Sequence, residues 1–398
     1  MMRSARSCYR AFMMATIACT VVAVTGASAG AQQTLSADAV PRIIDLGTLG
    51  GKHSFPYGIN NDGTVVGSSE TADGHFHATR WDRHGRITDL GTLPRGGQSD
   101  ATGINARGVI IGTVYVADGI RAVRWDQHGR ITNLGVLFNG GISWSAAIND
   151  RGEVVGTATA QARSGQFIKA VRWDDHGRMF DLGPSDHWSQ ALDINNSGIV
   201  VGVARNHAVR WDRNGRMTDL GTLPGGRFSE ARQITDSGII IGGALTADFQ
   251  EHAVQWDRNG RMTDLGRADE ISSVARMAND NGTVVGSMET SDPFEHHAVR
   301  WDRRGRITDL GALPGGSSSG ASSINARGLI VGAANTATGQ EHAVYWDSRG
   351  RITDLGTLPG GTNSAATGIT SSGTIMGYSR NGLGQFRAVI WHLSHNAR

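Results

Sequence analysis

His297-Ala298-Val299-Arg300-Trp301-Asp302-Arg303-Arg304-Gly305-Arg306-Ile307-Thr308-Asp309-Leu310-Gly311 is the stretch on which the reading of this chain turns. Two further segments complete it: Ser319-Gly320-Ala321-Ser322-Ser323-Ile324-Asn325 and Gly328-Leu329-Ile330-Val331-Gly332. The same four segments recur along the chain, most visibly at Trp81, Trp125, Trp173, Trp211, Trp256, Trp301, Trp346 and Trp391. Those tryptophans are 44, 48, 38, 45, 45, 45 and 45 residues apart. A period of this length built from short segments marks a propeller or another repeat array.

Each segment has the length and β-branched content of a strand, and none has helical periodicity. Asp302–Gly305 and Asn325–Gly328 are Asx-to-Gly tetrapeptides suited to tight hairpins, because Asx caps its own turn and Gly accepts positive φ. The other two links, Leu313-Pro314-Gly315-Gly316 and the stretch from about Ala333 to Glu341, are longer and more variable. One repeat therefore reads as a four-stranded antiparallel meander, with two tight turns at one end and two long loops at the other.

Such a small sheet cannot bury both faces alone, whereas eight packed around an axis can. The chain ends argue for closure. Arg42–Gly47 is a lone strand of the Ile-Thr-Asp-Leu-Gly type, and Phe386–Trp391 is a Trp strand with no partner after it. The expected fold is all-β: an eight-bladed β-propeller of four-stranded antiparallel blades, with the first strand completing the last blade. An open or helical β-solenoid is the alternative, and it does not require matching half-repeats at the two ends.

The chain has 398 residues, 56 of them glycine, with 38 Lys+Arg against 36 Asp+Glu and a formal net charge of +2. Met1–Arg10 carries Arg3, Arg6 and Arg10 with no acid, Ala11–Val24 is apolar, and Ala27-Ser28-Ala29 is a small-x-small cleavage pattern. Residues 1–29 are expected to be a secretory signal peptide cleaved after Ala29, which places the protein outside the cytoplasm, secreted or periplasmic. Residues 30–41 follow as a linker, 42–393 as the propeller and 394–398 as a tail. Losing three arginines takes the net charge to −1, which speaks against nucleic-acid binding by bulk charge. Both cysteines, Cys8 and Cys19, fall in the leader, so neither a disulfide framework nor a thiol nucleophile is expected in the mature chain. No membrane span, metal or cofactor is expected either, and the chain reads as a monomer.

The repeated tryptophans suit the spaces between blades, and the Asp series (Asp45, Asp89, Asp181, Asp219, Asp264, Asp309, Asp354, with Asn133 substituting) suits capping of backbone N–H groups at blade junctions. The Gly-Val-Val-Gly strands have no helix after them and so are not phosphate loops. The repeat resembles the extracellular HAF repeats, named for a His-Ala-Phe signature, over residues 42–391. Here the signature is His-Ala-Val or His-Ala-Thr at His77, His207, His252, His297 and His342. Arg121, Lys169 and Arg387 replace the histidine in the other copies, and Val or Thr stands for Phe. The resemblance implies an exported β-rich repeat protein and brings no catalytic residues.

In a meander, alternate connections lie at opposite ends, so the variable loops share one face, where binding sites usually lie. Eight basic residues open the third strands near that face. They read either as a cationic ring for an acidic ligand or as local partners of carboxylates such as Glu251, Glu295 and Glu341. Departures from the repeat supply the candidate ligand-binding residues. The aromatic ones are Phe55, Tyr57, Trp144, Trp188 and Phe228, platforms for sugar rings or plugs between blades. Asp186, His187, Asp269 and Glu270 lie where two blades lose the Leu-Pro-Gly-Gly loop. No catalytic residue is assigned. The function expected is recognition of a glycan or surface protein by the loop face. A polysaccharide hydrolase or lyase using acids, His or Arg on the same rim, and an assembly scaffold, are the alternatives.

Overall fold

The computed structural model describes residues 41–162, 165–184, 187–266, 272–292 and 294–393. Within them every regular element is a β-strand, and the strands form eight four-stranded antiparallel sheets arranged in a ring, an eight-bladed β-propeller. The expected leader, all of the linker but Pro41, and the tail fall outside the described residues. No helix among the described residues is long and apolar enough to cross a membrane.

Blade seven shows the plan: Ser319–Ile324, Ile330–Asn335, Glu341–Trp346 and Ile352–Gly356, hydrogen-bonded in that order. The first strand is innermost, and the last lies at the rim. Blade eight is completed by Arg42–Asp45, which pairs antiparallel with Phe386–His392, Ile43 opposite Trp391 and Ile44 opposite Ile390. The ring therefore closes by strand addition.

The turns after the first and third strands are tight: the Gly328 amide donates to the Asn325 carbonyl at 3.0 Å, and Gly305 to Asp302 at 2.8 Å. Asp302 Oδ1 also accepts the amides of Arg304 and Arg306, and Arg306 Nε reaches Oδ2 at 2.7 Å. Those backbone donors stabilise the ionised Asp and hold its pKa below the ordinary carboxylate range. At the opposite face, the links between second and third strands are not uniformly long. Blade four turns on Arg205 and Asn206 alone, both at positive φ, and blade two on Ala117 and Asp118. In blade four the two residues, with both φ values positive, form a hairpin whose twist matches the strands, so that blade needs no longer loop.

The core lies between blades. All eight repeat tryptophans are fully buried, each against the preceding blade. Trp346, for instance, joins Ala321, Ile330 and Val344 of its own blade to Val285, Ala298, Leu310 and Leu313 of blade six. Seven of the indoles donate Nε1–H to the leucine carbonyl of the preceding outer strand at 2.7–3.0 Å, as Trp256 does to Leu220. The eighth, Trp81 at the closing seam, has no acceptor for its buried Nε1.

The Gly-Val-Val-Gly segments also find their explanation in packing. The first glycine is a turn residue, as at Gly63 with φ +82°. The second lies inside the second strand, opposite an irregularity in the inner strand. A Cβ at Gly67, Gly202 or Gly286 would collide with the carbonyl oxygen of Phe55, Gln190 or Val274. The bulge brings the inner backbone so close that only glycine fits.

Candidate functional site

The basic residues of the third strands do not form a free cationic ring. Each histidine of the series turns Nδ1 to the Asp of its own outer strand. The distances are 2.9 Å for His77–Asp89 and His207–Asp219, 3.0 Å for His252–Asp264, and 2.8 Å for His297–Asp309 and His342–Asp354. Lys169 pairs with Asp181 in the same way, and Arg387 stands 4.0 Å from Asp45. Where Asn133 replaces the acid, Arg121 pairs instead with Asp118 at 2.8 Å and donates to the Gly141 carbonyl. The same Asp residues accept the amide of the glycine two positions on, as Asp309 does from Gly311 at 2.7 Å. The local reading therefore holds, with the outer-strand aspartates as partners in place of Glu251, Glu295 and Glu341.

The tight-turn face holds a polar cavity of about 420 Å³ on the axis, lined by the turn residues after the inner strands. Asn105 Nδ2 donates to the Asn149 carbonyl at 2.9 Å, Asn149 to Asn195 and Asn195 to Thr235, each onto the next blade. Asp150 accepts the Ala106 amide, Asp236 that of Asn196, and Asp280 that of Ser237. These polar groups form a belt that ties blade to blade. Asp174, Asp175 and His176 offer ligand atoms within 4.8 Å of one another, but on one exposed turn where Asp174 already caps the backbone.

On the loop face the candidate aromatics are spread over the ring. Trp144 is half-buried on the inner strand of blade three, and Trp188 is half-buried with His187 exposed at the entry to blade four. Phe228 is half-buried before the inner strand of blade five, and Tyr57 is exposed on that of blade one. Asp186, Asp269 and Glu270 lie outside the described residues. The structure does not gather the described candidates into one site.

Phe55 belongs to a cluster. Its ring lies 5.6 Å from Phe386 and 6.1 Å from Phe76. His53 stacks at 6.4 Å on Phe55 and 6.3 Å from Phe386, and Tyr378 meets Phe386 edge-on at 5.8 Å. The Arg380 guanidinium sits 4.5 Å above Phe386. All these rings lie at the loop-face ends of their strands and span the closing seam. The cluster also fastens the seam, where the Phe386 amide donates to His53 Nδ1 and the Ala388 amide to Ser54 Oγ. Tyr378 carries the surface on to blade seven, its hydroxyl 3.5 Å from Glu341.

His53, Phe76, Tyr378 and Phe386 were not singled out from the sequence, and Glu341 was considered there only as a partner of a basic residue. The signal was the residue before each basic one, which is Ile120, Ile168, Asn206, Glu251, His296 or Glu341 in six blades and aromatic only at Phe76 and Phe386. Those two blades are first and last in sequence, so their adjacency is visible only once the ring is closed.

No protein-family model matches the chain, and no curated protein matches it. Among solved structures it is similar to a puromycin hydrolase at 15% identity and a TM-score of 0.54, over 86% of this chain and 60% of that one. It also resembles dipeptidyl peptidase 4 of Porphyromonas gingivalis, at 10% identity and TM-score 0.50, over 79% of this chain and 55% of the other. A streptogramin B lyase is similar at 12% identity and TM-score 0.48, over 89% and 98%. The chain thus spans about three-fifths of the hydrolase it resembles, and at these identities the likeness is one of fold.

Proposed function

We propose that this chain is an exported recognition module, kin to the HAF repeats, that binds a glycan on its loop face at the seam between blades eight and one. The observation that carries the reading is the contiguous group Phe55, Phe76, Phe386, Tyr378 and His53, half-buried at the mouth of a rigid ring. Aromatic side chains offer apolar area to the C–H face of a sugar at little cost in rotamer entropy. The histidines nearby are already turned to aspartates, which disfavours recognition of an acidic polymer by a basic ring.

The test is binding of the purified protein to cellulose, chitin, xylan and pectin, with affinities from calorimetry on the soluble oligomers. Phe55→Leu keeps apolar volume at the seam and removes the ring, and it is expected to weaken binding roughly tenfold, about 1.4 kcal/mol. Trp144→Ala, on another part of the rim, is expected to leave affinity unchanged. Absence of binding to every saccharide would overturn the reading, and release of reducing ends would replace it with a hydrolase.

A further inference from the structure

We propose that Glu341 of blade seven is the polar anchor of this surface, and that the ligand is an uncharged saccharide whose neighbouring hydroxyls its carboxyl holds beside the aromatic rings. The inference rests on the glycan reading and narrows it to one residue and one class of sugar.

Glu341 opens the third strand of blade seven, opposite Asn335. Its carboxyl is drawn out of bulk water, and the Tyr378 hydroxyl at 3.5 Å is a long, weak partner. Among the described residues no Lys, Arg or His nitrogen stands within ion-pair distance of it. Burial accordingly raises its pKa, and the Tyr378 hydroxyl offsets that only in part.

The same position in blade five shows what the fold does when the carboxylate is structural. Glu251 there takes Arg232 Nη2 at 2.6 Å, and Arg232 is held in turn by Glu230 at 2.5 Å. In blade seven the inner-strand position of Arg232 is Ser322, which cannot supply a counter-charge. Glu341 is therefore a desolvated carboxyl left without a cation, a costly arrangement unless something outside the chain completes it.

What completes it is set by its neighbours. Tyr378 touches Glu341 with its hydroxyl and Phe386 with its ring, and Phe386 leads on to Phe55 and Phe76. Acceptor oxygens and apolar ring faces thus lie side by side, the pairing that a pyranose presents in reverse with its hydroxyl edge and C–H face. A carboxylate accepts two hydroxyl donors in strong charge-assisted bonds. The Arg380 guanidinium over Phe386 repels the cation that Glu341 attracts, and Glu341 repels the anion that Arg380 attracts, so neither sign of charge gains a net advantage over a neutral sugar that meets both the carboxyl and the rings.

The test uses the full chain and four probes: chitohexaose and cellohexaose as neutral sugars, the de-N-acetylated chitosan hexamer as the cation, and hexagalacturonate as the anion. At least one neutral hexamer is expected to bind ten times more tightly than either charged one. Glu341→Gln is expected to weaken that binding at least tenfold while the thermal midpoint stays level or rises, since a buried charge has been removed. A lowered midpoint would assign Glu341 a structural role and overturn the inference, as would tighter binding of a charged hexamer. Loss of binding in Phe55→Leu with none in Glu341→Gln would sink the inference and spare the glycan reading. If none of the four binds, the inference falls, and the glycan reading falls with it when the polymers do not bind either.

Discussion

Asp193 shows how one side chain can set the pH response of the ring. It lies on the inner strand of blade four, where Oδ1 accepts the Ile194 amide and Oδ2 the Ile234 amide of blade five, both at 2.8 Å. Burial dominates over those two bonds and, with Asp236 nearby, pushes its pKa up to about 7. In the unfolded chain the group titrates near its ordinary value of 3.8. Between these values the folded state holds a proton that the unfolded state has released, so stability falls as pH rises from about 4 to 7 and is level above that. The penalty is at most about 4 kcal/mol. Blade five solves the same bridge without charge: Gln233 accepts the Ala278 amide at 2.7 Å and donates to its carbonyl at 3.2 Å. Asp193→Gln is therefore expected to raise the thermal midpoint at pH 8 and to change it little at pH 4. A gain equal at both values would show that the proton plays no part.

At the scale of the element, the seven indole-to-carbonyl bonds and the one missing bond make an internal control. Trp256 and Trp81 are equally buried, but only Trp256 donates to a neighbouring blade, to the Leu220 carbonyl at 2.9 Å. Replacing either by Phe removes similar ring volume. In Trp256→Phe it also leaves the carbonyl buried without its donor, which costs about 1–3 kcal/mol more. Thermal or urea unfolding of the two variants is expected to show that difference, and equal losses would mean that the bond adds nothing. The eight tryptophans, the Asx–Gly turns and the strand order were legible in the sequence because each repeats at a fixed offset. The glycine of the second strand was visible as a pattern but not as a reason, because its reason is a carbonyl on another strand. The histidine–aspartate pairs were missed similarly: their partners stand twelve positions on, whereas the glutamates considered were sequence neighbours.

At the scale of the whole molecule, the circle was legible from the half-repeats at either end, but the site was not. Phe55 was found because it interrupts a repeat. Phe386 and Glu341 join it only through closure, and no local pattern places residue 386 beside residue 55. Backbone pairing across the closure is confined to one short clasp, Arg42–Asp45 along Phe386–His392, prolonged by the Leu46 amide to the Ala388 carbonyl at 2.9 Å. Its register matches the internal blades, Trp391 opposite Ile43 as Trp346 is opposite Ile352. An Asn-Gly dipeptide joining Leu393 to Arg42 would therefore reproduce the five-residue turn Asp347–Arg351 and make blade eight continuous. Opening that permutant between the exposed Pro314 and Gly315 leaves every blade with four consecutive strands, but blades six and seven then meet through side chains alone. Strand addition converts ring closure into backbone pairing, and losing it restores the loop-closure entropy it had removed. The permutant is expected to fold with the same far-UV circular dichroism and to melt about 5 °C or more below residues 41–393 in native order. A midpoint equal to or above the native one would show that interblade packing closes the ring unaided, and that the clasp fixes only where the chain begins its circuit.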